Sequence, residues 1–210
     1  MRKISVLFLA LAPACLFAVD GVVLINQSTV MVAGGFPYVI AAPGSYKLSG
    51  NLVSLVNQMA IQITANNVVL DLNGFNVQCT ANRQSTCIGG TAVHNIAIRN
   101  GTVTENQSAA ATSDVISLIA LDFGGATGCD RITVEDVHVE VNGFSAGSVV
   151  LSIPLLIGPH SIIRHNILSG TGSSFSEPAI SCPSLIEGNI NRLVSPGTSG
   201  CVVVNNVGFF

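Results

Sequence analysis

Ile63-Thr64-Ala65-Asn66-Asn67-Val68-Val69-Leu70-Asp71-Leu72-Asn73-Gly74 decides the fold. Apolar side chains two residues apart give a short strand with one buried face, and a polar turn follows at once. A second apolar pair, Ile61-Gln62-Ile63, precedes it. The phrase then recurs. It reads Ile96-Ala97-Ile98-Arg99-Asn100-Gly101, Ile132-Thr133-Val134-Glu135-Asp136-Val137 and Ser161-Ile162-Ile163-Arg164-His165-Asn166. It continues as Ser184-Leu185-Ile186-Glu187-Gly188-Asn189 and, more weakly, as Val202-Val203-Val204-Asn205-Asn206.

Aligning the last apolar residue of each phrase gives Leu72, Ile98, Val134, Ile163, Ile186 and Val203, spaced by 26, 36, 29, 23 and 17 residues. Such uneven spacing suits a solenoid, in which insertions leave through loops. The short last spacing predicts an incomplete or misaligned final coil. Repeats built from strands without helices predict an all-β parallel β-helix of six to seven coils. Each coil stacks on the next and like positions form ladders about 4.8 Å apart. The rival is an antiparallel sandwich or barrel, for which Asn73-Gly74 and Asn100-Gly101 are hairpin signals. The solenoid is preferred because the phrase repeats as a unit and polar residues return at the same place within it.

Composition agrees. Charged residues are 9%, hydrophobic residues 49%, and glycine 21 of 210. Disorder needs the opposite balance, whereas Val, Ile, Thr, Ser, Asn and Gly suit strands and tight turns. The 8 basic and 11 acidic residues form no basic patch, and aromatics are few. Nucleic acid and anionic membrane are therefore poor partners.

Arg2 and Lys3 precede an uncharged, almost wholly apolar run from Ile4 to Ala18. This reads as a signal peptide over 1–18 with cleavage after Ala18, followed by a lead-in over 19–35 and the β-helix domain over 36–210. A lipoprotein signal ending at Cys15 and an uncleaved anchor are the alternatives. No later stretch is long and apolar enough to span a bilayer. The expected location is extracellular, with a periplasmic or outer-surface association as the alternative.

Oxidising surroundings allow disulfides. Cys79 and Cys87 bracket a polar loop and are the first expected pair; Cys182 and Cys201 lie about one repeat apart and are the second. Cys129 is left as a buried thiol. No Cys-x-x-Cys or paired Cys/His spacing points to zinc, so no metal site is expected.

The chain resembles the pectate-lyase-like right-handed parallel β-helix superfamily, most of all in Ile63 to Gly74. Gly44-Ser45-Tyr46-Lys47-Leu48-Ser49-Gly50 is similar to the strand that leads into such helices. The resemblance covers roughly 36–207 and is closest to secreted bacterial members of unassigned function. It implies a single-stranded, right-handed coil. It implies no one activity, because the superfamily holds lyases, hydrolases, esterases, epimerases and non-catalytic surface proteins.

The alignment predicts surface columns. The position after the last apolar residue holds Asn73, Arg99, Glu135, Arg164 and Glu187, so charges alternate along one line. The next holds Asn100, Asp136, His165 and Gly188, and the one beyond that Asn166, Asn189 and Asn206. Alternating charges avoid like-charge repulsion, and asparagine columns form amide ladders at turns. The functional alternative is a shallow groove beside Arg99, Asn100, Glu135, Arg164 and Glu187 in which a glycan lies. The 36-residue spacing predicts a loop from Glu105-Asn106-Gln107-Ser108 through Asp114. Phe123 to Cys129, flanked by Asp122 and Asp130, reads as a second flexible stretch.

Enzyme chemistry has thin support. Glycoside hydrolysis needs two carboxyls about 5 to 9.5 Å apart, and adjacent Glu135 and Asp136 face opposite ways; Asp122 with Asp130 is the other pair. The Asn-x-Asp, Asp-Asp, Gly-His-Gly and Arg-x-Lys motifs of β-helix polygalacturonases are absent. Pectate lyases use a calcium-holding acidic cluster and a basic residue. Here no tight acidic cluster surrounds Arg99, Arg131 or Arg164, and calcium could be held only at Asp122 and Asp130. Of the four histidines only His165 is predicted to meet an acid, Asp136. The expectation is a non-catalytic secreted protein that binds or displays polysaccharide without a cofactor. The alternatives are a polysaccharide lyase or hydrolase with an unrecognised site, and a fragment of a surface assembly that self-associates through an uncapped C-terminal coil.

Overall fold

The structure is a computed structural model. It describes residues 21–83, 85–108, 115–124, 128–143, 149–171, 174–175, 179–191 and 200–208. The signal-peptide and cleavage reading therefore lies outside the described residues.

The alternation in the opening phrase becomes strand Val68–Asp71, with Val68 and Leu70 fully buried. It pairs in parallel with Gly44–Leu48 on one side and with His94–Gln107 on the other. Among the described residues thirteen strands form one sheet and seven form a second, and every pairing is parallel. The chain visits the sheets in turn. Ile61–Ile63 lies in the second sheet, Val68–Asp71 and Asn76–Ala81 in the first, and Ser85–Gly90 in the second again. In the next two rungs the paired first-sheet segments fuse into the long strands His94–Gln107 and Asp130–Asn142. The hairpin alternative fails: Asn100-Gly101 lies within a strand, and Asn73-Gly74 turns between segments of one parallel sheet.

The core fills the space between the sheets. Ile61, Ile63, Ile88, Leu121, Phe123, Leu155 and Ile157 face it from the second sheet; Leu70, Ile98, Val134 and Ile163 face it from the first. Before the opening phrase, Val22–Ile25 pairs with Gly44–Leu48. A six-residue helix, Gln27–Val32, follows, started by a capping box between Asn26 and Thr29, and it buries Val30. No helix among the described residues is long and apolar enough to cross a membrane.

One rung of the sequence alignment is corrected. Leu70, not Leu72, is the partner of Ile98, and Asp71, not Asn73, is the partner of Arg99. The corner after Asp71 holds four residues before pairing resumes at Asn76 opposite Thr102, where the next rung holds two. Leu72 turns inward at that corner and is fully buried. It leaves no room above it: a Cβ at position 101 would lie 2.4 Å from that of Leu72, so Gly101 is required there. The other rungs keep the expected register through Ile186 opposite Val203, so the last described rung is not misaligned.

Glu105 to Gln107 also depart from expectation. They stay in the strand instead of leaving as a loop, with Glu105 and Gln107 buried. Ala109 to Asp114 lie outside the described residues. Phe123 closes strand Val115–Phe123 and is fully buried, and Cys129 is buried beyond residues 125–127, which are not described. Both expected disulfides are present: Cys79–Cys87 with Cα atoms 5.5 Å apart, and Cys182–Cys201 with Cα atoms 5.0 Å apart. Two disulfides fit an oxidising environment. The Cys129 thiol lies 3.4 Å from the Gly90 carbonyl.

Candidate functional site: a groove between polar columns of the first sheet

The parallel register stacks like positions. The charged column runs Lys47, Asp71, Arg99, Glu135, Arg164, Glu187, so the sign alternates over six rungs. Arg99, Glu135, Arg164 and Glu187 stand where the sequence placed them; Lys47 and Asp71 join them, and Asn73 does not. Arg164 donates through Nε to Glu135 at 2.8 Å. That hydrogen bond first, then the Glu135 charge, holds the guanidinium above its ordinary range. Arg99 and Asp71 approach to 4.0 Å.

The next column bends the chain. Asn100, Asp136, His165, Gly188 and Asn205 all have φ between 52° and 61°. Asn, Asp, His and Gly tolerate this left-handed conformation better than other residues do. Asn100 also donates to Asp71 at 3.1 Å. His165 reaches Asp136 at 3.8 Å with both side chains well exposed, so the predicted contact forms as a loose surface pair.

Asn166, Asn189 and Asn206 point inward and make the predicted amide ladder. Asn166 accepts from the Val137 amide at 2.9 Å and donates to the Val134 carbonyl at 2.9 Å. Asn189 accepts from the Asn166 amide and side chain, and Asn206 from those of Asn189, at 2.9–3.0 Å. These asparagines satisfy corner backbone; Asn166 and Asn189 are buried and Asn206 is half-buried. Ser161 and Ser184 do the same at the opposite corner: Ser161 accepts from the Ile132 amide, and Ser184 from the Ser161 amide, each at 3.0 Å.

Between the charged column and a second left-handed column, Asn67, Asn95, Arg131 and His160, lies a shallow groove of 320 Å³, and none of the expected Arg99, Asn100, Glu135, Arg164 and Glu187 lines it. Its floor is Ala97, Thr133 and Ile162, and Asn95, Arg131 and His160 stand along one wall. Small outward residues at 97 and 133 create the depression. Arg131 is held by Asp130 at 2.7 Å and by Asn95 at 2.8 Å. Asp130 also bonds His94 Nδ1, its register partner. Asn95 escaped the sequence reading, Arg131 and His160 were not placed at a site by it, and the expectation that only His165 meets an acid is corrected by His94 on Asp130. A signal was present for His94: His94 and Asp130 each stand five residues before their charged-column position, at Arg99 and Glu135.

The remaining candidates are dispersed. Asp130 lies in the first sheet with its oxygens engaged by His94 and Arg131, while Asp122 lies in the second. Burial raises the Asp122 carboxyl, and the Gly124 amide offsets part of that. The groove therefore offers amide, guanidinium, imidazole and hydroxyl groups over an aliphatic floor.

No protein family profile, curated protein or solved structure matches the chain.

Proposed function

We propose that the chain is an exported, right-handed, single-stranded parallel β-helix of the pectate-lyase-like kind, and that it binds polysaccharide along this groove without cleaving it. The open groove between two polar columns carries the reading, since an extended polymer can cross several rungs there. The two disulfides support export into an oxidising compartment. Alternation between two parallel sheets supports the coil, and right-handedness follows the usual hand of parallel crossovers. The amide and hydroxyl chemistry supports a glycan as the ligand. No cofactor is required for binding.

A second reading, a polysaccharide lyase or hydrolase, is favoured by the Asp130–His94 pair, an imidazole oriented by an acid and adjacent in sequence to Asn95 of the groove wall. Self-association is favoured by Val202, Val203 and Val204, which are 59%, 45% and 36% exposed on the last described rung. The test is a glycan array run with a polysaccharide-degradation screen on residues 19–210. Binding with no new reducing ends or unsaturated products is expected. Products would replace the binding reading with the enzymatic one, and neither binding nor products would sink both.

A further inference from the structure

Inside the coil, where Asn76–Ala81 of the first sheet leads on to Ser85–Gly90 of the second, stands a carboxyl that no surface role explains. Glu105 is fully buried, and neither of its oxygens has a hydrogen-bond partner among the described residues. The strand register sets it directly opposite Cys79, with Val141 on its other side. A Glu105 oxygen and the sulfurs of Cys79 and Cys87 all lie within 4.8 Å of one another. The Ser85 hydroxyl lowers the carboxyl against the larger rise from burial, without meeting hydrogen-bond geometry. An unpartnered buried carboxyl is costly, yet this one is held by a rigid strand and aimed at two sulfurs.

We infer that Cys79, Cys87 and Glu105 form a zinc-class metal site when the disulfide is reduced, so that the same two sulfurs serve either as a cross-link or as metal ligands. The inference is independent of the polysaccharide reading. Three ligands of this kind match a borderline-soft divalent ion. Two sulfurs each about 2.3 Å from one ion in a tetrahedral arrangement lie about 3.8 Å apart, a separation that the released thiols reach by side-chain rotation alone. The redox step is a two-electron reduction by a dithiol or phosphine. The Sγ–Sγ bond breaks, each sulfur takes a proton, and the reductant leaves oxidised. Metal binding then displaces the two thiol protons and the proton held by the buried Glu105 carboxyl, and gives Glu105 the partner it lacks in the oxidised chain. The eight-residue spacing of the cysteines matches no zinc motif, because the third ligand arrives from the neighbouring rung.

The experiment uses the full chain, reduced with a phosphine and desalted without oxygen. Zinc is titrated against a chromophoric chelator, and cadmium is followed by its thiolate charge-transfer absorbance. One high-affinity ion per reduced chain and none per oxidised chain is expected. Glu105→Gln should weaken zinc at least tenfold while keeping the cadmium–thiolate band, and the double variant Cys79→Ser, Cys87→Ser should lose both signals. Circular dichroism of the reduced, zinc-loaded chain should keep the strand signature. The inference is overturned if the reduced chain takes up no stoichiometric zinc, or if zinc leaves it unfolded. It is equally overturned if Glu105→Gln binds as tightly as wild type, or if binding survives removal of Cys79 and Cys87.

Discussion

Replacing Glu105 by glutamine should turn a pH-dependent protein into a flatter one. Burial pushes the carboxyl from its ordinary 4.5 up to about 8. Below about pH 4.5 the acid is protonated in the folded and unfolded chains alike, and its linkage contribution to stability is fully present. Between that pH and about 8 only the unfolded chain releases the proton. Stability then falls with rising pH by about 1.4 kcal/mol per unit and is lost by the time pH has passed through the folded value. The whole effect is about 5 kcal/mol, a large part of a typical domain's stability. Glutamine has nearly the same shape and no charge to bury. Urea unfolding of both proteins at several pH values, with disulfides intact, isolates the group, because other titrations cancel in the difference. The advantage of Glu105→Gln should grow by about 4 kcal/mol between pH 5 and pH 8. Parallel curves for the two proteins would refute the argument.

Asn166→Ala strips the Val137 amide and the Val134 carbonyl of their buried partner; denaturant unfolding should show a loss of about 2–4 kcal/mol. Gly101→Ala drives a methyl into Leu72 and should cost about 1–3 kcal/mol, with thermal melting as the check. Arg164→Glu puts three acids in a row at positions 135, 164 and 187. The melting temperature should fall at low salt, and the deficit should shrink as salt is added.

Much of the fold was legible because burial enforces a two-residue period and a parallel register copies it from rung to rung. Ile98, Val134, Ile163 and Ile186 were therefore placed correctly from sequence, and the asparagine ladder with them. Leu72 was misplaced for a physical reason. It and Leu70 are both apolar and two residues apart, so the pattern cannot show which faces the sheet core and which fills a widened corner. The loop prediction at Glu105 failed in the opposite way. Thr104-Glu105-Asn106-Gln107 reads as wholly polar, and only the packing shows that its acid points inward. The disulfides were readable from spacing. The groove was not readable: Arg99, Asn100, Glu135, Arg164 and Glu187 do not line it, and Ala97 and Thr133 on its floor carry no pattern of their own.

The most direct test of polysaccharide binding along the first sheet is titration of a glycan identified on the array into three proteins: wild type, Ala97→Arg and Gln62→Arg. The first substitution lays a long side chain across the groove floor; the second puts the same side chain on the second sheet. The account predicts that Ala97→Arg abolishes binding and that Gln62→Arg leaves it unchanged. Equal binding by all three would contradict it.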